Sequence, residues 1–257
     1  MAESTTRRLV GKVALITGGG RGVGKGIARA FASEGARLAI VDIDEAAAVR
    51  SAEECEGRGV DAMSRRCDVS DREDVDRAVA AVVERFGPVD VVVTCALPRG
   101  AVQPLEETSA ARIEEMWRVG YLGVVNAMQA CLPCLRATRG SVINFGSGAG
   151  IAVSPGYAAY APVKEAVRAI TRVAAREWGA SGVRVNAICP FARSEQFEEW
   201  ATRNPDLARQ AEARAALGRV GDCERDIGRV AVFLASEDAA FITGHSLMVD
   251  GGQGMPL

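Results

Sequence analysis

Short apolar runs recur along this chain, and they are apolar nearly throughout rather than in alternation, as in Val13-Ala14-Leu15-Ile16. A strand that is apolar on both faces needs cover on both, which a parallel sheet between two helical layers provides. Runs at 12–17, 37–42, 61–67, 90–94, 140–145, 183–189 and 246–249 read as such strands. Longer segments with helical spacing lie between them, among them 22–34, 71–86 and 158–178. The alternation predicts an α/β fold: a doubly wound, mostly seven-stranded parallel sheet, Rossmann-like, with helices on both faces.

Nothing in the chain interrupts this rhythm as a linker or a repeat would, so residues 1–257 read as a single domain. A net charge of −2 supplies no basic field for nucleic acid. No apolar run approaches the ~20 residues of a membrane span, and no apolar stretch follows Arg7-Arg8 as a secretory signal would require. A cytoplasmic protein is therefore expected. Its seven scattered cysteines do not resemble a disulfide framework. Cys131-Leu132-Pro133-Cys134 stands alone, far from the single histidine His245, and reads as two small buried residues at a helix end rather than a metal or redox site. No metal is expected.

The first strand runs into Thr17-Gly18-Gly19-Gly20-Arg21-Gly22-Val23-Gly24 and then a helix. Such a loop lets backbone approach a pyrophosphate, while unpaired N–H groups of the helix N-terminus and its dipole favour the anion. Asp42 ends the second strand, where a carboxylate accepts from ribose hydroxyls and repels the 2′-phosphate of NADP. Arg21 pulls the other way, since a guanidinium pairs well with that phosphate. NAD is favoured and NADP stays open. An alternative use of Asp42 is to cap the helix that follows.

These motifs resemble the short-chain dehydrogenase/reductase family over nearly the whole chain. Its T-G-x-x-x-G-x-G loop is matched by Thr17, Gly18, Gly22 and Gly24, its Y-x-x-x-K by Tyr160 and Lys164, and its catalytic serine by Ser147. Asp68-Val69 matches the pair that contacts the adenine, and 185–190, 233–236 and 242–252 resemble the later strands and helix. The resemblance implies that Tyr160 exchanges the hydroxyl proton, that Lys164 holds the nicotinamide ribose and lowers the phenol pKa, and that Ser147 binds the reacting oxygen. It also implies cofactor contacts from Arg21, Val23, Cys95, Ala96, Pro190, Ala192 and Ser194, and a homodimer or homotetramer. Tyr160 and Lys164, four apart, share one helix face. Tyr157 has alanine at that spacing and is expected to line the pocket, and Pro162 predicts that the helix begins late, near Ala158 or Ala159, or bends there.

Three departures from the family pattern stand out. The N-N-A-G after the fourth strand is Thr94-Cys95-Ala96-Leu97, which adds bulk near the cofactor. The asparagine that in the family holds a proton-relay water aligns with Gly120, which predicts a local kink or a ligand that needs the space; Asn126 lies too far along to substitute. The P-G turn after the sixth strand is Pro190-Phe191. Beyond it, the charged segment 193–217, with Phe197 and Trp200, sits where open α/β sheets bind ligands and predicts a helical lid, or else a plain surface helix pair.

The expected activity is hydride transfer between a nicotinamide cofactor and a carbonyl or secondary alcohol, on a small-molecule substrate. The pocket would be lined by Leu97, Gly148, Val153, Tyr157, Phe191 and Phe197. Non-redox acid–base chemistry on the same fold, and a dinucleotide-binding regulatory protein, are the alternatives.

Overall fold

The computed structural model describes residues 7–100, 102–152 and 155–254. Its first half is a regular alternation: β1 (Val13–Thr17), α1 (Gly22–Ser33), β2 (Arg37–Asp42), α2 (Glu45–Glu56), β3 (Ala62–Arg66), α3 (Arg72–Phe86) and β4 (Val91–Thr94). The second half adds α4 (Ala110–Trp117), α5 (Gly123–Thr138), β5 (Ser141–Phe145), α6 (Gly148–Ala152), α7 (Ala161–Trp178), β6 (Arg184–Pro190), α8 (Glu195–Arg203), α9 (Pro205–Arg214), α10 (Arg229–Ala235) and β7 (Ser246–Val249). The strands form one parallel sheet in the order β3-β2-β1-β4-β5-β6-β7. All seven predicted strands are present, within two residues of their expected ends.

Each strand feeds both layers of core, which is why its sequence does not alternate. On β1, Ala14 and Ile16 join one cluster with Ile27 and Phe31 of α1 and Leu234 of α10. Val13 and Leu15 join the other with Val79 and Val82 of α3, Met128 of α5 and Val167 of α7. The chain reverses its winding between β1 and β4, and a crevice at the carboxyl ends of such neighbours is where these sheets take ligands. No helix among the described residues is long and apolar enough to cross a membrane.

Two local expectations need correction. The helix predicted to begin near Ala158 or Ala159 begins at Ala161, with Tyr160 as its N-cap and Pro162 in its first turn, where a missing N–H breaks no helical bond. Cys131 and Cys134 lie within the second half of α5 rather than at its end. Both are free thiols, Cys131 buried and Cys134 half-buried.

Candidate active site

The glycine loop is shaped by close approach. Gly18 has φ +63°, and a Cβ there would stand 2.7 Å from the Ala96 backbone, so the loop can lie against the segment after β4 only with glycine at this position. That segment is held in turn by Cys95 N donating to the Thr17 carbonyl at 3.0 Å and Ala96 N to Thr17 Oγ1 at 3.4 Å. The N-cap of α1 is Arg21, whose side chain makes no capping bond. The first-turn N–H groups at Gly22, Val23 and Gly24 thus have no acceptor within their own helix or from its cap. This cradle fits a dinucleotide phosphate. The Gly22 N–H points at a carboxylate, Glu195 Oε2 of α8, at 2.7 Å. A cleft of about 490 Å³ lies between these two elements, lined by Gly22, Arg193, Ser194, Glu195 and Cys223 among others.

Asp42 does not cap the next helix. Its Oδ2 accepts from Gly20 N and its Oδ1 from Asp44 N, both at 3.0 Å, so it ties the glycine loop to the end of β2. Asp44 is the cap of α2, accepting from Ala47 N, and it also pairs with the Arg21 guanidinium. Arg21, read from sequence as a free partner for a 2′-phosphate, is engaged by a carboxylate whose pKa those hydrogen bonds hold low. Sequence reasoning missed both Asp44 and Glu195. The run Asp42-Ile43-Asp44 could have flagged the first; nothing local flags the second, 173 residues from its partner.

Asp68 accepts from the backbone and hydroxyl of Ser70, which leaves its own N–H to Asp74. Val69 is buried against Gly123, and its carbonyl accepts from Asn126 Nδ2 at 2.9 Å. Asn126 is therefore occupied in holding the Asp68-Val69 turn.

Ser147, Tyr160 and Lys164 converge where β5 ends and α7 begins. Ser147 Oγ accepts from Ala149 N at 3.1 Å, and its hydroxyl lies by the Tyr160 phenol, whose pKa it works to lower. Lys164 Nζ sits 5.7 Å from the centre of the Tyr160 ring and donates to the Phe145 carbonyl at 2.9 Å. Below this lies a buried polar chain: Thr94 Oγ1 donates to Asn144 Oδ1, and Asn144 Nδ2 donates to Thr171 Oγ1, joining β4, β5 and α7. Burial drives Lys164 down to about 8 and the Tyr160 phenol upward, the Ser147 hydroxyl opposing the latter only in part. In the bare chain the burial of Tyr160 outweighs any lowering of its phenol pKa, and the Lys164 ammonium is turned onto the Phe145 carbonyl. Burial also pushes the Cys95 thiol beside this lysine up to about 12, so it stays protonated.

Tyr157 packs edge-on against Tyr160, with centroids 5.7 Å apart. Phe191 meets Phe197 at 5.8 Å, and Phe197 meets Trp200 at 5.6 Å, forming an aromatic wall from the end of β6 into α8. Pro190 closes β6 opposite Val249, and Ala192 bridges to Gly221. Ser194 Oγ accepts from Phe197 N, so the hydroxyl read as a cofactor contact serves as the N-cap of α8. A Cβ built on Gly148 would stand 3.4 Å from Met248 Cε; Val153 lies outside the described residues. The predicted kink at Gly120 is a π-helical turn, Arg118–Leu122, between α4 and α5.

A family profile described as "Enoyl-(Acyl carrier protein) reductase" matches residues 18–253. The chain is 37% identical over 251 residues to a 12alpha-hydroxysteroid dehydrogenase of a Clostridium species, covering 95% of this chain and 97% of the relative. It is 39% identical over 249 residues to an L-fucose dehydrogenase of Oryctolagus cuniculus, covering 95% and 86%. Among solved structures, levodione reductase superposes with a TM-score of 0.88 at 30% identity, covering 96% of this chain and 99% of that one. With the loop, the sheet order and the Ser147/Tyr160/Lys164 cluster, these likenesses establish that the chain belongs to the short-chain dehydrogenase/reductase family, oxidoreductases that move a hydride between a nicotinamide cofactor and a carbonyl or alcohol.

Proposed function

We propose that this enzyme interconverts a secondary alcohol and its ketone with NAD(H), through Tyr160, Lys164 and Ser147. The observation that carries the reading is the convergence of the three: the serine hydroxyl by the tyrosine phenol, and the lysine ammonium 5.7 Å from the centre of the same ring. When bound, the nicotinamide supplies or accepts the hydride. Tyr160 holds the proton at Oη and passes it to the substrate oxygen in the reducing direction; its raised pKa keeps it protonated for that task. Ser147, whose oxygen accepts from Ala149 N, turns its hydrogen to the same oxygen and orients the carbonyl. Lys164, which donates to the Phe145 carbonyl in the bare chain, would hold the nicotinamide ribose when the cofactor is bound and stabilise the phenolate.

Asp42 supports NAD over NADP, since a carboxylate fixed by two backbone N–H groups cannot swing away from a 2′-phosphate, and Arg21 is neutralised by Asp44. Tyr157, Phe191 and Phe197 supply aromatic walls, which suit an alcohol of small to medium size; the hydroxysteroid and sugar named for the relatives are alcohols too. On the same reading the chain works as one domain with 193–217 as a lid, in the cytoplasm, as a homodimer or homotetramer.

The test is NADH and NADPH oxidation over a panel of linear and cyclic ketones. Tyr160→Phe should lower kcat on any accepted ketone by about 100-fold or more while NADH still binds. Binding of NADH with no ketone reduced and no alcohol oxidised by the wild-type protein would overturn the redox reading.

A further inference from the structure

Two departures from the family pattern, Leu97 and Gly120, occupy one place in space. Gly120 lies buried within the π-helical turn before α5. An ideal Cβ built on it would stand 2.9 Å from Leu97 Cδ1 and 2.8 Å from Val163 Cγ1, closer than side-chain carbons pack. The volume that any side chain at 120 would use is therefore already filled. Leu97 fills it from the segment after β4, and Val163 from α7, one residue before Lys164. Leu97 also follows Cys95 and Ala96, which the glycine loop and Thr17 pin in place, so its backbone has little freedom to withdraw.

We infer that Leu97 is a positioning residue for the Tyr160/Lys164 pair: with Val163 it plugs the space over Gly120 and closes the inner side of the site to water, so that Lys164 exchanges protons only through the substrate-facing side. The inference rests on the reading of that pair as the reacting centre. The groups that face the ammonium fit a dry wall. They are Tyr160 from the start of its own helix, Cys95 from the segment after β4 and Cys189 from β6; the ammonium's one hydrogen bond is to the Phe145 carbonyl. No carboxylate among the described residues compensates the charge. Leu97 would thus act on the pair through dryness and not by contact with substrate.

The chain is well suited to a direct test, because its only lysines are Lys12, Lys25 and Lys164. Lysine labelled with ¹³C at Cε gives one signal each, and the two others are held in surface pairs with Asp90 and Glu54. In the full-length protein, Leu97→Ala should raise the Lys164 titration midpoint by about one pH unit as water enters, with Lys12 and Lys25 unmoved. An unmoved Lys164 midpoint in a folded Leu97→Ala variant would overturn the wall.

A melting-temperature cycle tests the shared space separately. Gly120→Ala should lower Tm by about 5 °C although alanine is the better helix former, because Val163 is stiff and Leu97 blocks the way out. In a Leu97→Ala background the same change should cost less than half as much. Equal losses in both backgrounds would show that the two positions do not compete and would sink the inference. Neither readout requires turnover, so a failure of the redox reading and a failure of this one are told apart.

Discussion

Asp42 shows how much one side chain carries in this site. Both its oxygens are used, one on Gly20 N and one on Asp44 N, so asparagine can keep only one of the two bonds. Asp42→Asn is expected to cost about 1 kcal/mol of stability and to shift the NAD-to-NADP affinity ratio toward NADP by about tenfold, read from Kd values for both. An unchanged ratio would remove Asp42 from cofactor choice. Glu195 poses the opposite case. Its carboxylate sits on the same N–H of α1 that a dinucleotide phosphate would use, and like charges compete there. Glu195→Gln is expected to tighten NADH binding about threefold to tenfold by fluorescence titration; weaker binding would mean that the carboxylate helps rather than competes. Asp42 was legible from its place at a strand end, whereas the competition at Gly22 needed the fold to bring α8 onto α1.

At the scale of elements, α8 carries one side-chain cap at its start. Ser194 Oγ accepts from Phe197 N, and no residue of the helix is fully buried. Packing contributes little to hold it, so the cap weighs heavily. Ser194→Ala should cost about 1 kcal/mol locally and speed amide exchange across 195–203, while strand amides in β1 and β4 keep their protection. Unchanged exchange in the helix would show that the aromatic contacts Phe191–Phe197–Trp200 suffice. The strands were legible because each is apolar on both faces, and helix α7 because its apolar residues recur at helical spacing. Its first residue was misplaced: Tyr160 is its N-cap and the helix runs from Ala161, the turn on Tyr157 preceding it.

The whole molecule feels Lys164 through its burial. Its folded pKa, about 8, lies below the ordinary 10.5, so between these values the unfolded chain binds more protons than the folded one. Stability therefore rises with pH over that window, and below pH 8 the full penalty of a buried ammonium, roughly 3 kcal/mol, stays in place. Lys164→Met should raise Tm at pH 7 and flatten the rise between pH 8 and 10.5, while abolishing turnover. A variant that melts lower at pH 7 would show that the bond to the Phe145 carbonyl outweighs the desolvation. Activity that needs the ammonium should likewise fall as pH climbs through the lysine's pKa, measured on the complex with dinucleotide.

The sequence by itself determined the seven strands, the two helical layers, the glycine loop and the register of Ser147, Tyr160 and Lys164, because periodicity, turn chemistry and i to i+4 spacing are local properties. Only the tertiary structure decided what those residues face. It turned Lys164 onto a carbonyl, gave Arg21 to Asp44, set Glu195 on the first turn of α1, and put Leu97 over Gly120. Each of these joins parts of the chain that pattern cannot relate, since a contact between distant segments depends on where the packed sheet places their backbones, and the pKa of a buried group depends on everything packed around it.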